Sequence, residues 1–584
     1  MFLINQEKQF VWEEGTQMLR AIYWDISVKP SEQKTTTLQI TFTNNQEIKY
    51  SRDGSILRVD LIEDISRKPE ILTNLDQIQN LKWWGQYGKL NQKVGKWTAT
   101  WNGATMKNLG GYYSNTGNKQ GQWITLIENY WSQAKVYEVG EYQDGIRKDN
   151  WKYIYVNKKM GGGRYNYEGQ KHGKWVELQK NFQDDSQVKY TGEYKNGKKI
   201  GIWDIEYLNE RRNHFIKIGG GAYNEVGDGL QSGNWVEISD NKNFESDEQI
   251  IYIGKYKNGK KVGRWDIWCN VFDEKNLKII GGGLYDEAGD GLKIGEWIDL
   301  NDGFDEQKYV TYHGEYKNDK KVGLWEIWNL CLSQYDYQEK YIGGGLYDED
   351  GEEIKLGKWV QLPDNFRNCQ ATYNGEYKNG KKVGRWDIWC DVFDENNLNI
   401  IGGGLYDEAG DGLKLGNWVE IWDNFEEHEQ VTYIGEYKNG NKVGQWDIWY
   451  KCLRDYDKII IKIGGGSYDE DGEGLKQGKW VEVSDNFHIY SQVTYNGEYK
   501  NGKKCGRWDI FQRKYRTNYF DYIGGGLYDE KGEGIKLGEW IELSNNYICD
   551  GGESFIGEYK NGKKIGEWLS QQYNRVLPYM KYNK

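Results

Sequence analysis

The chain repeats one fifteen-residue motif several times. The motif reads GEYKNGKKVGRWDIW from Gly375 to Trp389, and closely related copies begin at Gly254, Gly314 and Gly435. A catalytic motif normally occurs once, whereas a unit that keeps its glycines, tyrosine and tryptophan indicates an element that stacks on its own copies. The repeat therefore restricts the chain to a repeat architecture before any other feature is considered.

Two versions of the unit alternate along the chain. We call the first the basic hairpin, after its KNGKK turn, and align it on the glycine that opens the motif; the second, the acidic hairpin, reads GGGLYDEAGDGLKIGEW from Gly281. Each unit is about thirty residues long, and seventeen copies lie between Gly85 and Trp568. The remaining basic hairpins begin at Gly85, Gly140, Gly192, Gly497 and Gly557, and the remaining acidic hairpins at Gly110, Gly161, Gly219, Gly343, Gly402, Gly464 and Gly524.

Each unit predicts a β-hairpin. Asn-Gly between two segments rich in aromatic and β-branched residues is a strong hairpin signal, because both turn residues need a positive φ. A glycine weakens a strand, and an aromatic ring laid over it restores packing. With a two-residue turn, the predicted cross-strand pairs are Tyr256 with Lys261, Gly254 with Gly263 and Tyr252 with Trp265, around Gly259. The same structural signature in the next copy but one is Tyr373, Gly375, Tyr377, Gly380, Gly384 and Trp386.

The predicted fold is all-β. Residues 81–568 are expected to form an elongated, single-layer antiparallel meander of about 17 β-hairpins, on the order of 160 Å long at about 4.8 Å per strand. Residues 1–80 do not repeat and predict a small mixed capping region: strands from Leu38 to Ile62 around Asp53-Gly54, and a short helix within 71–81. Residues 569–584 are expected to be a C-terminal tail that caps the other end.

In such a meander, basic and acidic turns alternate along one edge, about 10 Å apart. Their opposite charges favour turn-to-turn pairing, which is worth little for each exposed pair. The turn residues considered for weak interactions are Lys260, Lys261, Lys381, Lys382, Asp286, Glu287 and Asp290. The three carboxylates leave calcium binding open as an alternative to a solvated turn, although the EF-hand spacing is missing.

Composition restricts the functional classes. A net charge of −12 argues against nucleic-acid binding, which needs a basic surface. The seven cysteines are odd in number and never form a C-x-x-C pair, and the five histidines do not pair at ligand spacing, so we expect no disulfide framework, metal site or cofactor. Without a signal sequence, an apolar span or a lipidation motif, the expected location is the cytoplasm.

The motif Y-x-G-E-Y-K-N-G-K-K-x-G-x-W resembles the MORN repeat (membrane occupation and recognition nexus), in the variant form in which tryptophan follows the last glycine. The resemblance covers about 480 residues and rests on Tyr373, Gly375, Glu376, Tyr377, Asn379, Gly380, Gly384 and Trp386. It implies an extended hairpin array that mediates protein association, with contact to acidic lipids as a further implication. The abundance of Asn, Lys, Gln, Tyr and Ile is typical of an AT-rich protist genome, such as that of a ciliate.

The leading functional hypothesis is a non-enzymatic scaffold or protein-interaction module, associated with the cytoskeleton or a membrane surface. Its expected partners are other proteins, including a second copy of this chain. One alternative is a peripheral binder of anionic lipid headgroups, through the lysines of the basic turns. A second alternative is a glycan-binding array that uses exposed aromatic hairpins. An enzyme is the weakest hypothesis, because no catalytic constellation stands out.

Overall fold

The structure, a computed structural model, describes residues 13–25, 32–52, 55–63, 69, 71–184, 186–209, 214–239, 248–271, 277–301, 309–332, 337–363, 371–391, 398–422, 429–452, 459–485, 487–488, 491–513, 519–544, 547, 552–572 and 575–582. They divide into two compact units. The first unit contains Met1–Val262 and Ile267–Leu277, and the second contains Gly263–Asp266 and Lys278–Lys584. The strands of each unit are described separately below.

The first unit begins with a four-stranded antiparallel sheet whose strands follow chain order. A short helix, capped by the Asn74 side chain, packs its Leu75 and Ile78 into the core of this sheet. The elements are β1 (Gly15–Asp25), β2 (Glu32–Phe42), β3 (Glu47–Arg52), β4 (Ser55–Leu61) and α1 (Leu75–Asn80). The helix and the strand alternation agree with the sequence-based prediction, while the predicted Asp53-Gly54 turn lies outside the described residues.

The N-terminal sheet and helix contact the repeats of their own unit. The rings of Trp24 and Trp131 stack with 4.4 Å between centroids. The Gln77 side chain donates to the Glu128 carbonyl at 2.9 Å, and the Asn74 side chain donates to the Tyr130 carbonyl at 3.3 Å. These contacts attach the N-terminal region to the segment that follows the second repeat hairpin.

In the rest of the first unit, each strand pairs antiparallel with the next in chain order. These strands are β5 (Leu81–Tyr87), β6 (Lys93–Trp101), β7 (Ala104–Tyr113), β8 (Lys119–Leu126), β9 (Val136–Gln143), β10 (Ile146–Tyr155), β11 (Lys158–Tyr165), β12 (Lys171–Leu178), β13 (Val188–Lys195), β14 (Lys198–Asn209), β15 (His214–Tyr223), β16 (Gln231–Ile238) and β17 (Glu248–Lys257). Strand β18 (Lys260–Val271) has residues in both units.

The second unit continues the same pattern of antiparallel neighbours. Its strands are β19 (Leu277–Tyr285), β20 (Lys293–Leu300), β21 (Val310–Lys317), β22 (Lys320–Leu332), β23 (Tyr337–Tyr347), β24 (Lys355–Gln361), β25 (Ala371–Lys378), β26 (Lys381–Asp391), β27 (Leu398–Tyr406), β28 (Lys414–Ile421), β29 (Glu429–Lys438), β30 (Asn441–Cys452), β31 (Ile459–Tyr468), β32 (Lys476–Val483), β33 (Val493–Lys500), β34 (Lys503–Arg513), β35 (Phe520–Tyr528), β36 (Lys536–Leu543), β37 (Ser554–Lys560), β38 (Lys563–Gln572) and β39 (Arg575–Tyr582).

The prediction of an all-β antiparallel meander of hairpins is confirmed. Within the described residues, β5 to β38 correspond to the seventeen predicted hairpins. Among the described strands, β5 pairs only with β6 and β39 pairs only with β38, so the meander is not closed. The segment after Trp568 completes β38 and supplies β39, where we expected a tail.

The turns adopt the backbone conformation that the Asn-Gly signal predicts. Asn258 and Gly259 have φ values of 50° and 77°, and Asn379 and Gly380 have 50° and 76°. A left-handed conformation costs an asparagine little and a glycine nothing, which explains why these two residue types occupy the basic turns.

Candidate interaction surface

Each repeat tryptophan lies over a glycine of the neighbouring strand. A Cβ atom added to Gly375 would lie 2.2 Å from the Trp386 ring, and one added to Gly404 would lie 2.3 Å from the Trp418 ring. Only a residue without a side chain leaves room for the ring at these positions. The predicted packing of rings over glycines is therefore present, and it fixes both residues of each pair.

The predicted register is correct only next to the turn. In the copy at Gly375, Tyr377 faces Lys382 as expected. The register shifts between Glu376 and Asn374, so that Asn374 faces Asp387. The predicted glycine–glycine and tyrosine–tryptophan pairs are therefore wrong in this copy. Gly384, with a φ of 61°, forms a bulge in β26 that turns the Trp386 ring over Gly375.

Within each unit, tyrosines alternate with the tryptophans in a row of rings. Trp386 contacts Tyr377 on one side, with 5.2 Å between centroids, and Tyr406 on the other, at 6.2 Å. Both contacts are edge-to-face, with interplanar angles of 86° and 76°. Such pairs contribute about 0.5–1.5 kcal/mol beyond the area that they bury. The row stabilises each hairpin against the next without a second layer of side chains.

A lysine lies over most tryptophans of this row, and Arg147 takes its place over Trp151. The Lys382 ammonium lies 4.1 Å from the centroid of Trp386, and that of Lys355 lies 4.5 Å from the centroid of Trp359. The aliphatic stem of lysine shields the ring while the charge interacts with the π face. Lysines of the basic turns that were considered for external contacts thus pack on the protein itself. The glycan alternative requires exposed rings, and the tryptophans of this row from Trp97 to Trp568 are buried.

A buried carboxylate joins these lysines to a tyrosine, and we call the set the Lys–Glu–Tyr cluster. Glu420 forms an ion pair with Lys442 at 2.8 Å and a second ion pair with Lys414. It also accepts a hydrogen bond from the Tyr437 hydroxyl at 2.7 Å. The corresponding acceptors in the other repeats, each two residues after a tryptophan, are Glu177, Glu237, Asp299, Gln361, Glu482 and Glu542.

The lysines decide the ionisation of these carboxylates. Burial alone raises the pKa of Glu542, but the charges and hydrogen bonds of Lys536 and Lys564 outweigh it and lower the pKa to about 2. The pKa of Glu482 likewise falls to about 2 beside Lys504 and Lys476. Glu482 and Glu542 are therefore anionic at neutral pH, and their charge is used within the repeat.

The acidic turns use their first carboxylate to hold the turn. Asp286 accepts hydrogen bonds from the backbone N–H groups of Gly289, Asp290 and Leu292, at 2.8, 2.9 and 2.6 Å. These backbone hydrogen bonds lower the pKa of Asp286. Glu287 instead lies beside Gly263, where an added Cβ would be 3.1 Å from the Glu287 carboxylate. Within the described residues, no three His, Cys, Asp or Glu side chains are grouped to hold a metal ion.

Neighbouring basic and acidic turns touch each other. Lys320 forms an ion pair of 3.0 Å with Glu353, and Lys317 donates to the Glu349 carbonyl at 3.2 Å. The Gly380 N–H donates to the Lys355 carbonyl at 3.0 Å. Lys381 packs its stem beside Gly412 of the next acidic turn. The expected alternation of turn charge therefore leads to direct contacts between turns.

The predicted residues of the copy at Gly254 lie in several environments. Lys261 forms an ion pair with Glu237 at 2.9 Å, and the Tyr256 hydroxyl donates to the same carboxylate at 2.7 Å. The Lys261 ammonium also lies 5.7 Å from the Tyr252 ring centroid. Lys260 and Asp290 are exposed. Sequence reasoning missed Glu237, although an acidic residue stands two positions after the tryptophan in six of the eight acidic hairpins, which was a visible signal.

Aliphatic pairs form the most regular exposed feature of the acidic hairpins. Leu405 faces Leu415 across its hairpin, and Leu346 faces Leu356. The first residue of each pair is 43–49% exposed in Leu284, Leu346, Leu405 and Leu527. Their cross-strand partners Ile294, Leu356, Leu415 and Leu537 are half-buried. Sequence reasoning missed these pairs because the bulges determine which residues face each other.

One acidic hairpin of the second unit departs from this rule. It carries Ser467 opposite Gln477, so its pair is polar. Charged residues border the apolar pairs: Arg385, which faces Leu405, forms an ion pair of 2.7 Å with Asp387 on its own strand. The second unit therefore presents four apolar pairs and one natural polar variant; Leu405 and Leu527 each face an arginine, whereas Leu346 faces Leu324.

The chain matches no family model, and no curated protein matches it significantly. Among the described residues, no helix has the length and apolar character required to cross a bilayer. The candidate site that the geometry supports best is the surface formed by the aliphatic pairs. These pairs are Leu284–Ile294, Leu346–Leu356, Leu405–Leu415 and Leu527–Leu537.

Proposed function

We propose that the protein is a non-enzymatic scaffold that binds other proteins along the aliphatic pairs of its acidic hairpins. The observation that carries this proposal is the recurrence of the same exposed apolar pair on four hairpins of the second unit. Apolar side chains repeated at equivalent positions and bordered by charge have the composition of a protein-binding surface: an apolar centre with a polar rim.

The use of the other side chains supports this assignment. The cluster carboxylates bind lysines of the same repeats, and Asp286 binds the backbone of its own turn. The repeat tryptophans are buried, and a lysine lies over most of them, as Lys382 does over Trp386. A partner would therefore meet the aliphatic pairs and the Arg–Asp pairs beside them. Leu324 replaces the usual arginine in β22 and faces Leu346, which extends the apolar surface across three strands.

The partners that we propose are other proteins, including a second copy of this chain, at the cytoskeleton or at a membrane surface in the cytoplasm. The resemblance to MORN repeats agrees with such a role. Each apolar pair alone is small, so a partner that contacts several hairpins gains affinity from every additional pair. A scaffold of this kind is expected to lose its partners gradually as the pairs are made polar.

The test replaces two apolar pairs by the natural polar pair of the same chain. The variant carries Leu346→Ser, Leu356→Gln, Leu405→Ser and Leu415→Gln, which reproduces Ser467 and Gln477 at two more hairpins. Proximity labelling of the full chain in its own cell identifies the neighbouring proteins, and sedimentation velocity of the purified chain measures self-association. We expect the variant to lose at least one labelled partner, or its self-association, by tenfold or more.

The control variant changes the polar hairpin, Ser467→Ala with Gln477→Ala, and is expected to keep all partners. Hydrogen exchange confirms that both variants retain the hairpins. An unchanged set of labelled proteins together with unchanged self-association in the four-residue variant would contradict the proposal. Binding to anionic vesicles that depends on the turn lysines, in place of any protein partner, would instead favour the lipid alternative.

A further inference from the structure

One carboxylate in a repeated series has no cation beside it. Six basic hairpins carry Asp or Glu directly after their tryptophan, and five of these carboxylates form an ion pair at 2.5 to 2.8 Å. These pairs are Asp204 with Lys217, Asp266 with Arg264, Asp387 with Arg385, Asp447 with Lys462 and Asp509 with Arg507. Among the residues that the structure describes, the sixth carboxylate, Glu326, accepts a hydrogen bond from the Trp328 indole N–H at 3.3 Å but forms no ion pair.

The two positions that supply the cation elsewhere carry other residue types here. In three repeats the cation is an arginine directly before the tryptophan, and β22 has Leu324 at that place. In β31 the cation is Lys462, which faces Trp449 across the strands. The equivalent residue of β23, which faces Trp328, is Tyr341. The hairpin has therefore kept the carboxylate of the series and exchanged its cation for apolar and aromatic side chains.

The histidine beside Glu326 does not supply the missing charge. His313 of β21 faces Glu326, and its imidazole stacks on Trp328 with 5.7 Å between ring centroids. Its Nε2 atom lies 2.9 Å from the Thr311 hydroxyl oxygen. Burial lowers the pKa of His313 and outweighs the opposite effect of the neighbouring carboxylates, so the ring is neutral at neutral pH.

Exposed apolar side chains surround this carboxylate. Tyr341 is 53% exposed and Leu324 is 56% exposed. The Tyr341 ring meets Trp328 edge-to-face, with 5.5 Å between centroids. On β23, Glu326 faces Gly344, which has no side chain to cover it. The half-buried carboxylate thus lies between an aromatic pair and an exposed leucine on the open face of the sheet.

We propose that Glu326 binds an arginine side chain of a partner protein. A guanidinium group forms charge-assisted hydrogen bonds with a carboxylate and stacks on aromatic rings, here those of Trp328 and Tyr341. Leu324 and Leu346, which face each other, accept an apolar side chain next to that arginine. Charge complementarity selects this occupant, because the partner supplies the cation that the other repeats carry themselves. The inference rests on the proposed function and specifies its partner as a protein with an arginine beside apolar residues.

The experiment compares two peptides that differ by one charge. The first has an arginine between two leucines, and the second has citrulline, a neutral residue of nearly the same shape, in place of the arginine; both are blocked at their ends. Saturation-transfer-difference NMR measures the affinity of each peptide for the full chain at fixed ionic strength. We expect the arginine peptide to bind about tenfold more tightly than the citrulline peptide.

Three variants assign this preference to the site. Leu324→Arg installs the arginine of the other repeats, so the chain should fold and lose the preference because its own arginine pairs with Glu326. Glu326→Gln should also lose the preference, since it removes the charge. The matched control is Glu296→Gln, which removes an exposed carboxylate from β20 and should keep the preference.

A rescue variant keeps the test independent of folding defects. In the chain that carries Leu324→Arg, the further changes Arg385→Leu and Ile400→Tyr copy the site into the next basic hairpin beside Asp387, and should restore the preference. The inference is overturned if the unsubstituted chain binds both peptides equally, if Leu324→Arg or Glu326→Gln keeps the preference, if Glu296→Gln abolishes it, or if the rescue fails.

The outcome is separable from that of the proposed function. Equal binding of both peptides, together with loss of partners in the four-residue variant of the aliphatic pairs, would overturn this inference and leave the proposed function in place. A preference for the arginine peptide that depends on Glu326, without loss of partners or self-association in the four-residue variant, would support this site and contradict the proposed function alone.

Discussion

The N-terminal sheet and the repeat hairpins bury apolar side chains in two different ways. The N-terminal region packs a helix on a sheet, with Leu38, Ile40, Ile48, Leu75 and Ile78 in an aliphatic core. The hairpins place large rings on bare glycine backbone and cover them with lysine stems. The comparison shows that a hairpin can bury a tryptophan without a second layer, provided that the facing residue has no side chain.

The two regions also respond to acid in opposite directions. Glu542 has a pKa of about 2 in the folded chain, below its ordinary value of 4.5, so its contribution is complete above pH 4.5 and disappears as the pH falls toward 2. Glu177, Glu420 and Glu482 are shifted in the same direction. Burial instead raises the pKa of Asp76 in α1, so protonation favours the folded N-terminal region.

Acidification is therefore expected to cause the largest difference in stability between the two regions, because several Lys–Glu–Tyr clusters lose stability together. The chain is equilibrated in urea at pH 5 and at pH 3, then pulse-labelled with deuterium at one fixed pH. We expect the hairpins around Glu482 and Glu542 to unfold at lower urea concentration at pH 3, and the region around Asp76 to resist unfolding at least as well as at pH 5. Equal shifts in both regions would contradict the assigned pKa directions.

Removal of a single ring should affect only the hairpins near it. Trp386→Ala removes a ring that contacts Gly375, Tyr377 and Tyr406, and should cost about 3–5 kcal/mol locally. Hydrogen exchange of peptides from β25 to β27 measures this loss, with β1 to β4 as the internal reference. The reciprocal variant, Leu38→Ala, should raise exchange in β1 to β4 and leave β25 to β27 unchanged. An equal rise in hydrogen exchange in both regions would contradict the expectation that each substitution acts only on its own region.

Addition of a single methyl group should destabilise a repeat hairpin more than the N-terminal sheet. Gly375→Ala places a Cβ 2.2 Å from the Trp386 ring and should cost about 1–3 kcal/mol, because the ring must move. Gly15→Ala at the start of β1 is the matched control, since no atom lies within 4 Å of its added Cβ. Local hydrogen exchange compares the two variants. An equally small effect of both substitutions would mean that the ring does not require the glycine.

Much of the fold could be predicted from the sequence because the relevant signals are local. Asn379 and Gly380 adopt the positive φ values that their residue types favour, and alternation around them predicts two strands. The helix was expected within 71–81 and covers Leu75–Asn80, because Asn74 caps its start and β5 begins at Leu81. The bulge at Gly384 could not be predicted, since a glycine adopts either sign of φ at little cost.

The candidate sites were less accessible to sequence reasoning because they depend on such irregularities of register. A separate register shift between Gly403 and Leu405, in the pairing of β27 with β28, determines that Leu405 faces Leu415. Glu420 resembles a solvent-facing strand residue in the sequence, yet it accepts contacts from Lys414, Lys442 and Tyr437.

The most direct test of ring-over-glycine packing is the NMR chemical shift of glycine Hα protons. In a chain labelled selectively at its 75 glycines, a subset of Hα resonances should move strongly upfield, because those protons lie over indole rings. Trp386→Leu should return the resonances of Gly375 to their ordinary range and leave those of Gly404, which lies under Trp418, upfield. Glycine Hα resonances at ordinary positions in the unsubstituted chain would contradict the account.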